Sequence, residues 1–245
     1  MPELRQETFQ GAAIGSSATP AAPGEPHLAC VLLLDTSGSM SGSPIESLNN
    51  AINTFKAAAC ADELTQKRVD VAIVEFNDVA RVVQPFVPIG KMEPVRLQAT
   101  GCTAMGAGID LAIDLVKERN RLYAQMGTPC YAPWIVMITD GAPTDDVTEA
   151  AQRIKAEEAK GTHGKLKFWS VGVPGYSLET LAKLSTKRRI IELATADFKG
   201  FFNWLTDSMT IISVSQVGDK VKLSSLPPEA KVITKQDIPD EWTDD

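Results

Sequence analysis

Apolar residues follow two rhythms along this chain. Short, nearly continuous apolar runs alternate with stretches whose apolar residues recur every three or four positions. The first kind reads as buried strand and the second as amphipathic helix. Leu28 to Leu34 is the first run. Ser43-Pro44-Ile45-Glu46 then reads as a helix start: Ser43 is the cap, Pro44 takes the first position and Glu46 closes a capping box. Ile45, Leu48, Ile52, Phe55 and Ala59 form its buried stripe. Val69 to Phe76 is a second strand and Asn77-Asp78 a hairpin turn. Ala80 to Val87 returns antiparallel, with Pro85 suited to a sheet edge. Met105, Ile109, Ile113 and Val116 mark another helix. Ile135 to Ile138 is apolar throughout and reads as a central strand covered on both faces. A helix from Asp145 to Lys160, a strand from Leu166 to Val173, a short helix from Leu178 to Leu184 and a strand from Arg189 to Leu193 follow. Phe198, Phe201, Phe202, Leu205, Met209 and Ile212 give the last helix its apolar face.

Strands alternating with helices predict an α/β fold. The sheet is doubly wound and mostly parallel, with one antiparallel edge strand and helices on both faces, Rossmann-like. Such sheets bind ligands beyond the carboxyl ends of their strands, where strand order reverses. Residues 28–215 carry this pattern. Residues 1–27 form an extension rich in Gly, Ala, Ser and Pro, read as a flexible or partner-binding arm. Residues 216–245 form an acidic C-terminal extension. Within it, residues 217–223 read as a hairpin or short strand. The remainder reads as a solvated tail, or as a docking segment anchored by Trp242.

Charge narrows the function classes. The chain of 245 residues carries a formal net charge of −7, which opposes nonspecific binding to nucleic acid. No run of about 18 apolar residues predicts a membrane span, and the N-terminus lacks a secretory layout. Cys30, Cys60, Cys102 and Cys130 are widely spaced without a C-x-x-C clip. They read as reduced thiols in a cytoplasmic protein.

The candidate chemistry lies where the apolar runs end. Asp35-Thr36-Ser37-Gly38-Ser39 follows the first strand, Thr100-Gly101-Cys102-Thr103 precedes a helix, and Asp140-Gly141 follows the central strand. Acids and hydroxyls arriving together at strand ends suit a hard divalent cation such as Mg2+. Taken singly, each has a plainer reading: turn chemistry for Ser37, Ser39 and Asp140, and capping for Asp35 and Thr103. Asp145 and Asp146 read as caps of the helix that they begin, with a water-mediated approach of Asp145 to the metal as the alternative. His27 and His163 read as surface or loop histidines, and Lys187-Arg188-Arg189 as a solvated strand entrance.

Asp35-x-Ser37-x-Ser39, the distant Thr103 and Asp140-Gly141, in this order, resemble the signature of a von Willebrand factor type A domain with a metal-ion-dependent adhesion site. Cys102 stands where glycine is common in that family. The resemblance implies that Ser37 and Ser39 bind Mg2+ or Mn2+ directly. Thr103 would bind directly or through water, and Asp35 and Asp140 would act mainly through water or hydroxyl groups. It implies a non-enzymatic adaptor whose metal shell is completed by an Asp or Glu of a protein partner. The strings Leu32–Met40 and Ile138–Asp145 most resemble the intracellular bacterial branch associated with tellurite resistance. That branch implies kinase and phosphatase partners, with Thr36, Thr103 or the N-terminal Ser/Thr cluster as modification sites. Two alternatives stay open: a metal-free scaffold, and a magnesium-dependent phosphoryl-transfer hydrolase. The second is opposed by Ser37, which stands where such enzymes carry another acid, and by the lack of a P-loop.

Overall fold

The computed structural model describes residues 18–160, 166–185 and 189–239, the Lys235 side chain excepted. The readings of His163, of Lys187 and Arg188, and of Trp242 lie outside the described residues. In chain order the elements are β1 (Leu28–Asp35), α1 (Ser43–Ala59), α2 (Glu63–Arg68), β2 (Val69–Phe76), β3 (Ala80–Pro88), α3 (Met105–Gln125), β4 (Trp134–Thr139), α4 (Thr148–Ala159), β5 (Lys167–Gly172), α5 (Leu178–Leu184), β6 (Ile190–Leu193), α6 (Lys199–Ser213) and β7 (Ala230–Ile233). The sheet order is β3-β2-β1-β4-β5-β6-β7. From β1 the chain winds outward through β2 and β3, then crosses back to add β4 on the other side of β1. The switch point therefore lies between β1 and β4, where an open sheet leaves a crevice at its carboxyl ends.

The period-two alternation within β1 sorts its side chains onto two layers. Leu28, Cys30, Leu32 and Leu34 face one core with α1 and α6, whereas Ala29, Val31 and Leu33 face the other with α3, α4 and α5. Every residue of β1, β2 and β4 is buried, as expected for parallel strands covered on both sides. Phe55 of α1 and Phe202 of α6 meet edge-on, with ring centroids 5.4 Å apart.

β3 pairs antiparallel with β2 as the pattern predicts. The far edge is also antiparallel, because β7 pairs with β6 from Ile190↔Ile233 to Leu193↔Ala230. The chain read as the start of a solvated tail thus supplies a strand. Four residues carry too little pattern to show in sequence, and the open edge of β6 provides the template. Residues 217–223 form no strand. Val217, Val221 and Leu223 instead pack partly buried on the α1/α6 core.

Two local expectations are corrected. α1 begins at Ser43 rather than after it. Its cap is Gly42 at φ +80°, no side chain caps the helix, and the expected box does not form. Glycine tolerates that backbone where a side chain would be strained. His27 is fully buried rather than superficial. Its Nδ1 lies 2.9 Å from Asp70 Oδ2, and its Nε2 lies 2.9 Å from the Ala22 carbonyl oxygen. The Tyr123 hydroxyl also donates to Asp70 Oδ2, and Arg119 Nη2 pairs with that oxygen at 2.9 Å. Burial raises the Asp70 carboxyl, but the His27 hydrogen bond and the Arg119 charge outweigh it, so the net shift is downward. Arg119 Nη1 donates to the Ala18 carbonyl and Thr128 Oγ1 to the Pro23 carbonyl, which ties residues 18–27 across the amino ends of β1 and β2. All four cysteines are free thiols, and Cys30 is buried.

Candidate metal centre

The five predicted residues come from three places in the sequence and converge at the carboxyl ends of β1 and β4. Asp35 is the last residue of β1, and the chain turns at once. Ser37 N–H donates to Asp35 Oδ1 at 2.8 Å, closing a tight turn that lifts Ser37 and Ser39 over the strand end. Ser37 Oγ and Ser39 Oγ lie 3.0 Å apart. Ser39 Oγ donates to Asp140 Oδ1 at 2.7 Å, across 101 residues of sequence. A Cβ built on Gly141 would stand 3.8 Å from Ser39 Oγ and 3.9 Å from Thr103 Oγ1, so both hydroxyls border one small space.

Thr103 is 6% exposed, and among the described residues its hydroxyl has no hydrogen-bond partner. The oxygen itself is not among the fully buried unpaired side-chain atoms, so it opens to the space that it shares with Ser39 Oγ. It does not cap α3, as its plainer reading had it. Asp145 does that work, with Oδ1 accepting from Gly106 N at 3.1 Å and Oδ2 from Ala107 N at 3.0 Å. Asp145 therefore caps a helix distant in sequence rather than its own. Asp146 serves α4 as expected, accepting from Thr148 N at 2.9 Å.

Asp35 is fully buried. Burial pushes its carboxyl pKa up, the hydrogen bonds from Ser37 and Thr139 pull it back, and the neighbouring Asp140 charge adds to the rise. Thr139 is a residue that the sequence reading passed over. Its Oγ1 donates to Asp35 Oδ2 at 2.6 Å and fixes the carboxylate from the β4 side. Its place directly before Asp140 was the available signal.

The three loops are pinned to one another by backbone and amide groups. Gly38 N donates to the Gly101 carbonyl at 3.0 Å and Thr100 N to the Thr36 carbonyl at 2.8 Å. Asp78 Oδ1 accepts from Cys102 N at 2.8 Å. Gly101 is at φ +71°, a backbone that strains any residue with a side chain, and the Asp78 carboxylate lies against it. Asn49 and Asn53, one turn apart on α1, each clip one residue of the preceding extended segment. Asn49 donates to the Leu97 carbonyl and accepts from Leu97 N at 2.9 and 2.7 Å. Asn53 makes the same pair with Val95, both at 3.1 Å. Thus α1, which leaves the Ser37/Ser39 turn, also holds the segment leading to Thr103.

The donor set fits a hard divalent cation. It is all oxygen and includes two aspartates. Its two serine oxygens stand 3.0 Å apart, close to the separation of adjacent ligands around an octahedral ion with bonds of about 2.0–2.1 Å.

Residues 30–208, well over half of the chain, match the model of the von Willebrand factor type A domain. The chain belongs to the von Willebrand factor type A domain family. A search of curated proteins finds no match. Among solved structures, the pilus adhesin SpaC from Lactobacillus rhamnosus GG in an open conformation aligns with TM-score 0.60 at 12% identity, over 75% of this chain and 30% of that one. A von Willebrand factor type A protein from Catenulispora acidiphila aligns with TM-score 0.55 at 17% identity, over 76% and 43%. Proximal thread matrix protein 1 from the mussel byssus, with a zinc-occupied MIDAS motif, aligns with TM-score 0.52 at 14% identity, over 76% and 48%. This von Willebrand factor type A chain spans about half the length, or less, of these structures. At such identities the likeness establishes the shared fold. Among the described residues, no helix is long and apolar enough to cross a membrane.

Proposed function

We propose that this von Willebrand factor type A domain is a metal-dependent protein-binding module without catalytic activity. The observation that carries the reading is the convergence of the Ser37, Ser39 and Thr103 hydroxyls with Asp140 at the carboxyl ends of β1 and β4. Ser37, Ser39 and Thr103 would hold Mg2+ or Mn2+, and Asp35 and Asp140 would orient hydroxyls and water around it. When bound, the ion supplies a Lewis-acidic position that a carboxylate from a protein partner can fill. Asp35 is an unsuitable nucleophile, since it is fully buried with both oxygens engaged by Ser37 and Thr139. A metal-free scaffold is favoured by one observation, the Ser39–Asp140 hydrogen bond that already closes part of the cluster.

Titration calorimetry of Mg2+ and Mn2+ into the chelator-stripped chain, beside Ser37→Ala, separates the two readings. One-site binding that the variant loses supports the metal module. Absence of binding to the unaltered chain favours the scaffold.

The strings Leu32–Met40 and Ile138–Asp145 support a cytoplasmic adaptor role in a tellurite-resistance or stress phospho-signalling system with kinase and phosphatase partners. That setting rests on those strings alone. Thr36 is no longer a candidate for phosphorylation, because it is fully buried. Thr103 is nearly so. Of the N-terminal cluster, Ser16 and Ser17 lie outside the described residues, and Thr19 is exposed.

A further inference from the structure

Thr103 lies in a loop whose backbone is gripped from two sides. Cys102 N donates to Asp78 Oδ1 at 2.8 Å and Ala104 N to the Asn77 carbonyl at 2.7 Å, so the β2–β3 hairpin holds the residues flanking Thr103. Thr103 itself is held from the β4 side by one residue. Its N–H donates to Thr144 Oγ1 at 3.1 Å, and its carbonyl accepts from Thr144 N at 2.9 Å. Both polar groups of the Thr103 main chain thus meet Thr144.

Thr144 follows Asp140 in the loop that leaves β4. The next residue, Asp145, accepts from Gly106 N and Ala107 N. A Cβ on Gly106 would stand 2.7 Å from the Asp146 carbonyl oxygen, so this loop lies tight against the first turn of α3. The loop that begins at Asp140 therefore ends as a clamp: Asp145 fixes the start of the helix, and Thr144 fixes Thr103. Thr144 is exposed, so core packing does not account for a hydroxyl at this position. With its N–H and carbonyl both held, Thr103 keeps one soft torsion, χ1, and a β-branched side chain is stiff there. Holding the main chain thus aims the Thr103 hydroxyl.

We infer that Thr144 is a positioning residue for the candidate metal centre: its hydroxyl ties Thr103 to the loop of Asp140, so that these two sides of the ion's shell are set as one unit. The inference rests on the metal-dependent reading above and adds to it a residue outside the ligand set. The tie is a neutral hydrogen bond, so it acts on the ion through geometry rather than charge. Loss of a group that orients a metal ligand lowers affinity by about 10- to 100-fold. The bond from Thr144 N survives substitution of the side chain, so the expected loss is about 10-fold, the lower end of that range.

The test compares the full chain with Thr144→Val and Thr144→Ser. Valine keeps the β-branched shape and the main-chain donor but removes the acceptor for Thr103 N. Serine restores that acceptor. Hydrogen exchange followed by NMR in chelator reads the Thr103 amide without any metal, and calorimetry reads the affinities for Mg2+ and Mn2+. In Thr144→Val the Thr103 amide should exchange faster and both ions should bind about 10-fold more weakly. Thr144→Ser should return both readings to those of the unaltered chain. Melting curves in chelator check that all three proteins share one fold. Unchanged exchange at Thr103 in the valine variant, unchanged ion affinity despite faster exchange, or failure of serine to restore both overturns the inference and leaves the metal-dependent reading standing. An unaltered chain that binds neither ion defeats the metal-dependent reading, and the inference falls with it.

Discussion

Thr103→Val keeps the side-chain shape and removes one hydroxyl. The effect on stability follows from what that hydroxyl now lacks. Thr103 is 6% exposed, and its Oγ1 meets no partner among the described residues. A fully buried hydroxyl without a partner costs about 1–3 kcal/mol, and the Thr103 oxygen, which is not among the fully buried unpaired atoms, falls below that range. Valine therefore stabilises the metal-free fold by up to about 1 kcal/mol, a rise in Tm of about 2–4 °C for a domain of this size. Metal binding moves in the opposite direction. Loss of a group that merely orients a ligand lowers metal affinity by about 10-fold or more, so a lost direct ligand should do at least that. Melting curves in chelator measure the first effect, and calorimetry with Mg2+ and Mn2+ measures the second. A valine variant that melts several degrees lower in chelator would show that the hydroxyl holds the loop together. Unchanged metal affinity would remove Thr103 from the ligand set. Higher stability with lost binding is the combined result that a strained functional site produces and a structural residue does not.

Other substitutions test other layers. Asn49→Ala removes two hydrogen bonds to Leu97, a loss of about 1–3 kcal/mol at about 0.5–1.5 kcal/mol each. It should speed hydrogen exchange of the Leu97 amide and weaken metal binding severalfold; unchanged exchange would mean that the clip is not what orders this segment. Asp70 has a folded-state pKa below its ordinary 3.8, through His27 and Arg119 acting against burial. Its stabilising contribution is complete above the unfolded value and is lost as pH falls through the lower folded value, so urea midpoints followed from about pH 5 to about pH 2 should fall less steeply for Asp70→Asn. Equal slopes would assign the acid limb to other carboxylates. Val136→Asp places an unpaired charge at a fully buried position of β4, at a cost of several kcal/mol against a total stability of about 5–15 kcal/mol. A native-like melt would mean that this strand is not central.

Much of this arrangement is legible in the chain itself. The apolar runs of β1, β2 and β4 fix buried strands, because a strand covered on both faces has no polar side to show. The switch from runs to three- and four-residue spacing gives the helices and hence the doubly wound class. Asp35, Ser37, Ser39 and Asp140 stand out because each ends or follows such a run, and Thr103 because it precedes a helix. Long-range pairing is decided only in three dimensions. Thr139 turns towards Asp35 because β1 and β4 are neighbours, and Asp145 caps α3 because the β4 loop crosses over that helix. His27 gives no sign in sequence of being buried, since its burial depends on Asp70, Arg119 and residues 18–27 closing over it. β7 becomes a strand because the edge of β6 offers it a ladder. Periodicity reports how each segment divides its own faces between core and water. It does not report which distant backbone or charge will meet a given polar atom, and at this candidate metal centre those meetings set the geometry.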